Sequence, residues 1–212
     1  MQKKTALNRL MLALFRMSRR LPGSDFEIRA FLPDRPEREQ VALRVAQSLR
    51  LLREFAPSKY DALRRDLPRI LVGPARGLGE CHYAVGICVL QFDYVIADTT
   101  TAEDLALVFI HEGMHGRLHH AGFEWTDAAS RARHERLCSI AETVLGARLR
   151  PTASLRWAEQ RVDWGAEHWT EAALEKGEQH AVEKLGRGGR FAYHVTRLLS
   201  GRGWRASSRG AD

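Results

Sequence analysis

The sequence predicts an α+β fold, mostly helical, with a small sheet of about three strands (residues 69–97) packed on a long helix over about 102–120. Three observations predict it. Apolar residues recur at helical spacing through most of the chain. Runs rich in Val, Ile, Tyr and Phe cluster between 69 and 97. A strong helix start at Asp98-Thr99-Thr100-Thr101 follows them directly. At 212 residues the chain is long enough for one domain with extensions. Its 44% hydrophobic and 28% charged content is ordinary for a globular protein.

Residues 5–18 place Leu7, Leu10, Met11, Leu14 and Phe15 at helical spacing among Arg9, Arg16, Arg19 and Arg20, which makes a basic amphipathic helix. It is expected to dock on the domain, with a membrane surface or an acidic partner as the alternative contact. Leu21-Pro22-Gly23-Ser24 breaks the pattern as a linker does. The organisation read from these signals is an N-terminal helix over 1–20, one domain over 25–199, and a disordered basic tail over 200–212. Asp34 caps a helix with Pro36 in its first turn and Glu37 and Glu39 near its positive end. It runs to about Phe55, presents Val41, Val45, Leu49 and Leu52 to the core, and stops at Pro57. Ser58 with Asp61 opens a further helical turn closed before Pro68.

Arg69–Val72 reads as a strand ended by Gly73-Pro74, and Tyr83–Cys88 and Val89–Ala97 as two more in a hairpin or meander. Gly77-Leu78-Gly79 matches neither phosphate-loop pattern and takes no nucleotide role. Thr100 and Glu103 form a capping box for the helix Ala102–His120, whose first half, Leu105–Ile110, is apolar nearly all round and should be buried. Trp125-Thr126-Asp127 opens a helix over about 128–147, and three more helical patterns cover about 153–168, 171–185 and 190–199.

The net charge of +7 is uneven. Residues 1–20 carry six Lys/Arg and no acid, and residues 187–212 carry six Arg against Asp212, which leaves −4 for 21–186. Basic character confined to the ends weighs against nucleic acid as the partner. Cys81, Cys88 and Cys138 form no C-x-x-C and an odd number, as expected of thiols in a reducing compartment. No run approaches the roughly 18 apolar residues of a membrane span. The apolar run Leu10–Phe15 is shorter than a signal-peptide core, so a cytoplasmic location is expected.

The chemistry concentrates at His111-Glu112-Gly113-Met114-His115, an H-E-x-x-H inside a helix. Spacing of i, i+4 puts His111 and His115 one turn apart on one face. Two imidazoles so placed can bind one Zn²⁺, with Glu112 as general base to a metal-bound water. Glu112 follows an apolar run, an unfavourable place for an idle carboxylate. His119 shares that face but lies eight residues from His111, about 12 Å along the axis, too far to join the same ion. The pattern with a third histidine six residues on needs a glycine and a histidine where this chain has Leu118 and Ala121, so it is excluded. A third ligand must come from the next helix, which offers His134, Glu135 and Glu142. A turn at 121–126 folds that helix back antiparallel and carries Glu135 towards the histidines. The duller role for Glu135 is a pair with Arg131 or Arg136. Cys138 reads as a small core residue and His119 and His120 as helix-end histidines. Gly113 and Gly116 read as places where another backbone can come close.

His111–His115 followed by Glu135 resembles the gluzincin metallopeptidases, the thermolysin-like class whose third ligand is a downstream glutamate. The longer runs His111–Leu118 and Arg131–Cys138 also look like a group of small, uncharacterised bacterial HExxH metallopeptidases. The resemblance covers roughly residues 85–148. It implies a zincin-like fold, with the sheet packed on the motif helix and an edge strand lining the cleft. It also implies one Zn²⁺ held by His111, His115 and Glu135, with Glu112 catalytic. The thermolysin-like Asp four residues after the ligand glutamate is replaced by Ser139, so Ser139 and Glu142 are the candidates for orienting a histidine. For the oxyanion-stabilising group the candidates are His168, His180, Tyr193 and His194.

The leading expectation is therefore a zinc metallopeptidase acting on a peptide or protein that adds to an edge strand near 89–96. The alternatives are a zinc-bearing domain acting on another amide or acyl bond or serving as a binding module, and a helical interaction protein with basic, membrane- or nucleic-acid-binding ends.

Overall fold

The computed structural model describes residues 2–22, 25–31, 35–73, 75, 77–149 and 153–170. Helix α1 (Gln2–Met17) leads into β1 (Arg19–Arg20) and β2 (Glu27–Ala30), then α2 (Arg35–Phe55) and α3 (Pro57–Asp66). Three strands follow, β3 (Arg69–Gly73), β4 (Gly79–His82) and β5 (Ile87–Gln91). After them come α4 (Phe92–Ile96), α5 (Ala102–His120), α6 (Ala128–Gly146) and α7 (Ala153–Arg161), with single 3₁₀ turns at Tyr83–Val85 and Ala166–Trp169. Asp34, the helical patterns at 171–185 and 190–199, and the tail from 200 lie outside the described residues. The architecture is α+β and mostly helical, around one mixed sheet of order β1-β2-β3-β5-β4.

That sheet corrects the expectation of about three strands within 69–97. β1 and β2 add two, antiparallel to each other, and β2 runs parallel to β3 from Glu27↔Arg69 to Ala30↔Val72. At two and four residues, and with Arg19, Arg20, Glu27 and Arg29 among them, they carry too little apolar alternation to announce themselves. The run Val89–Ala97 is not one strand either. β5 ends at Gln91, whose partner Gly73 is the last residue of β3. Beyond it β3 offers no further pairing among the described residues, and Phe92–Ile96 closes into α4 despite its β-branched residues. Tyr83–Cys88 is broken by the 3₁₀ turn, which Gly86 ends at φ +62°, a left-handed conformation that glycine adopts freely. The edge strand beside the motif helix is thus β4, antiparallel to β5, and the 87–91 segment is interior.

Both faces of the sheet are covered. Ile70 and Val72 of β3 and Cys88 and Leu90 of β5 join the larger core with α2 and α5. Leu71, Ile87 and Val89 point the other way and pack with Met11 and Phe15 of α1. This is why β3 and β5 read as unbroken apolar runs. Arg29 of β2 fastens α1 by its C-terminal end. Its Nη1 donates to the carbonyls of Arg16 (3.0 Å) and Ser18 (3.1 Å), and its guanidinium lies 5.2 Å from the Phe15 ring centroid. Among the described residues no helix is long and apolar enough to cross a membrane.

Helix α5 lies on the sheet with Leu105–Ile110 all buried, as its uniform hydrophobicity predicts. Its capping box falls one residue later than expected. Thr101 Oγ1 accepts from the Asp104 N–H at 3.1 Å, and Asp104 Oδ2 accepts from the Thr101 N–H at 3.0 Å. Three consecutive threonines made the register ambiguous. On its second half, Gly113 and Gly116 face α3, where a methyl at Gly113 would stand 3.1 Å from Leu63 Cδ1. Asp127 caps α6, accepting from the Ser130 N–H at 2.7 Å, and α6 returns antiparallel along α5. The cap holds the start of the motif helix, so Thr101→Ala should lower the unfolding free energy by about 1 kcal/mol. Urea titration measures it, and an unchanged midpoint would show that the cap contributes nothing.

Candidate metal centre

Three donor atoms converge where α5 and α6 face each other. The Nε2 atoms of His111 and His115 are 3.1 Å apart. Glu135 Oε2 lies 3.2 Å from the first and 3.6 Å from the second. Ligands bound at 2.0–2.2 Å around a tetrahedral ion stand roughly 3.3–3.6 Å from one another, so the three atoms fit around a single ion. His111, His115 and Glu135 are 8%, 8% and 6% exposed, so the donors are shielded from bulk water.

A fourth donor lies close by. His111, His115 and buried Cys138 form a group whose ligand atoms all lie within 4.8 Å of one another and could hold a metal ion. Cys138 Sγ, however, approaches His115 at Nδ1 (3.5 Å), not at the Nε2 that meets His111 and Glu135. An imidazole presents its two nitrogens in different directions. Glu135 therefore lies on the side where the two histidines converge, and the thiol sits behind one of them.

The outer nitrogen of the other histidine meets a carboxylate. His111 Nδ1 is 3.0 Å from Glu142 Oε1, a close ion contact although its N–H does not point straight along it. Glu142 Oε2 in turn accepts from Arg161 Nη2 of α7 at 2.5 Å. Ser139 is fully buried on the same helix, but its hydroxyl has no partner among the described residues. Glu135 Oε1 lies 3.8 Å from Arg131 Nε, so the expected pairing on its own helix coexists with the histidine contacts. Trp125 roofs the site. Its ring centroid is 5.5 Å from that of His115 and 5.2 Å from that of His134, and the Arg131 guanidinium sits 5.6 Å over it.

The remaining sequence candidates are elsewhere. His134 is buried against Trp125. His119 stacks on Tyr83 at 3.4 Å, and His120 faces Asp66 at 3.6 Å. His168 is half-exposed, stacked on Trp164 with Glu167 at 3.1 Å. His180, Tyr193 and His194 lie outside the described residues. Sequence reading missed the Cys138–His115 contact and Arg161 altogether. The first could have been found from the i, i+3 spacing of Glu135 and Cys138 on one helix face. Nothing local announces the second.

Glu112 is buried at 6% exposure. Burial pushes its carboxyl pKa up, against the opposing pull of His111 and His115. It lies against the start of the edge strand. A methyl on Gly79 would come within 2.8 Å of Val108 Cγ1 and 3.0 Å of Glu112 Cγ and Oε1, so glycine is what lets β4 approach the motif helix here. Glu135 behaves oppositely. Burial would raise it, but hydrogen bonds from His111 and His115 hold it well below the usual carboxylate range. Burial disfavours the His111 cation, yet Glu142 and Glu135 outweigh it and push its pKa up to about 10.

No protein-family model matches the chain, and comparison with curated proteins returns no match.

The raised His111 pKa has a definite sign. An imidazolium held from its ordinary 6.5 up to about 10 contributes stability that is fully present below pH 6.5 and is lost as pH rises through about 10. In chelator-treated protein the urea midpoint should fall steadily from pH 7 to pH 10, and His111→Gln should flatten that slope. An equal slope in both proteins would refute the assignment.

Proposed function

We propose that the chain is a zinc-dependent metallopeptidase in which His111, His115 and Glu135 hold one Zn²⁺ and Glu112 is the general base. One observation carries the reading: two imidazole Nε2 atoms and a carboxylate oxygen converge within 3.6 Å beside a buried glutamate. Two histidines and a glutamate are a donor set of catalytic zinc, which keeps a coordination position for water or substrate. When bound there, zinc supplies Lewis acidity and lowers the pKa of water. The Glu112 carboxylate, made more basic by burial, takes a proton from the attacking water and returns it to the leaving nitrogen. Among the described residues β4 pairs with β5 alone, and its outer edge is where an extended peptide would add through main-chain hydrogen bonds. A motif helix lying on a mixed sheet, with an antiparallel edge strand beside its glutamate, is the arrangement a zincin-like fold calls for. The free thiols Cys81, Cys88 and Cys138 suit a reducing compartment such as the cytoplasm. The exposed Arg9, Arg16, Arg19 and Arg20 suit a peripheral contact with an anionic surface.

A second reading is a zinc-dependent hydrolase of a smaller amide or acyl substrate. The shielding of all three donors and the engagement of His168 elsewhere favour it.

Protein purified without chelators should carry stoichiometric zinc, and Glu135→Ala should lose it. Glu112→Gln should keep the zinc and lower hydrolysis by about 10²–10⁴-fold. Comparing a peptide library with small amides separates the two readings, and zinc-free wild-type protein would sink both. Gly79→Val should keep the metal and, by displacing Glu112, cost about 10²-fold in rate. An undiminished rate would place the base elsewhere.

A further inference from the structure

Arg161 is 5% exposed and pairs with Glu142, itself 4% exposed. Stability does not account for such a pair, because replacing buried ions by apolar groups of similar volume is often neutral or favourable. What the pair does is divide the labour of one carboxylate. Oε2 is taken by the guanidinium of α7 and Oε1 is left against His111 Nδ1. Fixing one imidazole nitrogen fixes the ring's plane and which nitrogen is free, and so sends Nε2 towards His115 and Glu135. Glu142 alone has three side-chain torsions with which to swing away, and the guanidinium on a separate helix removes that freedom. No other group on α6 takes the task, since the Ser139 hydroxyl, one turn nearer Glu135, has no partner among the described residues. α7 comes close enough because residue 146 is glycine. A methyl there would overlap the Leu155 side chain.

We infer that Arg161 is a positioning residue for the metal centre, acting through Glu142 to hold His111 with its Nε2 turned towards His115 and Glu135. The inference rests on the zinc reading above. A double-mutant cycle tests it, with zinc affinity read by competition against a chromophoric chelator on the full chain. Arg161→Met keeps the length and apolar stem, and Glu142→Gln keeps the shape. Each should weaken zinc binding about 10–100-fold. The double variant should be no weaker than Glu142→Gln alone, because the route inferred for Arg161 runs through that carboxylate. Arg161→Lys should recover part of the affinity. In the cobalt-substituted protein the visible bands should shift in Arg161→Met and return towards wild type in Arg161→Lys, a response that general loosening does not produce. Should Arg161→Met fail to fold, Arg161→Gln takes its place in the cycle. Wild-type affinity in the Arg161 variants, or losses that multiply in the double variant, overturns the inference and leaves the zinc reading standing. Wild-type protein that takes up no zinc overturns both.

Discussion

Two carboxylates of α6 are buried against α5, and much of this half of the molecule is arranged to compensate them. Glu135 is met by both histidine Nε2 atoms, and Glu142 by His111 on one oxygen and Arg161 on the other. An uncompensated buried charge costs several kcal/mol, so these contacts must form together. Because the compensating groups come from α5 and α7, the three helices are restrained in rotation and in slide by a handful of polar atoms. α3 presses on α5 from another side, where Gly113 and Gly116 admit Leu63 and Leu67.

What could be read in advance follows the range of the interaction. The histidine pair is a local consequence of helical pitch. Glu135 needed one further step, a short turn folding the next helix back. Glu142 lies two turns beyond Glu135, which puts it on the same face and so against His111. Arg161 was illegible because its approach depends on how tightly α7 packs, which is decided by a missing side chain at position 146. The sheet shows the same gradient. β3 and β5 are apolar on both faces and declare themselves, whereas β2 exists because its backbone finds β3, about forty residues on, and β1 because it pairs with β2. Tertiary pairing likewise overrode propensity at Phe92–Ile96, where the neighbouring strand simply ended.

Charge counted along the chain also misdescribes the surface. The segment 21–186 is acidic by sequence, yet Asp66, Asp104, Glu112, Glu135 and Glu142 are all buried. On α6 the two glutamates point inward while Arg133 and Arg136 are exposed. Part of the acidity of this region is therefore internal, in the core and the candidate metal centre, and solvent meets a more basic exterior than the composition suggests.

The docking of α1 by Arg29, Met11 and Phe15 bears on how the chain tolerates shortening. Removing residues 2–20 would strip β1 from the end of the sheet and bare Leu71, Ile87 and Val89 on its rear face. β2 would then be an unprotected edge beside an uncovered apolar surface, the combination that invites sheet-to-sheet association between molecules. A fragment trimmed at Gly23 for the sake of a tidy boundary would thus keep every donor of the candidate metal centre and still be prone to aggregate.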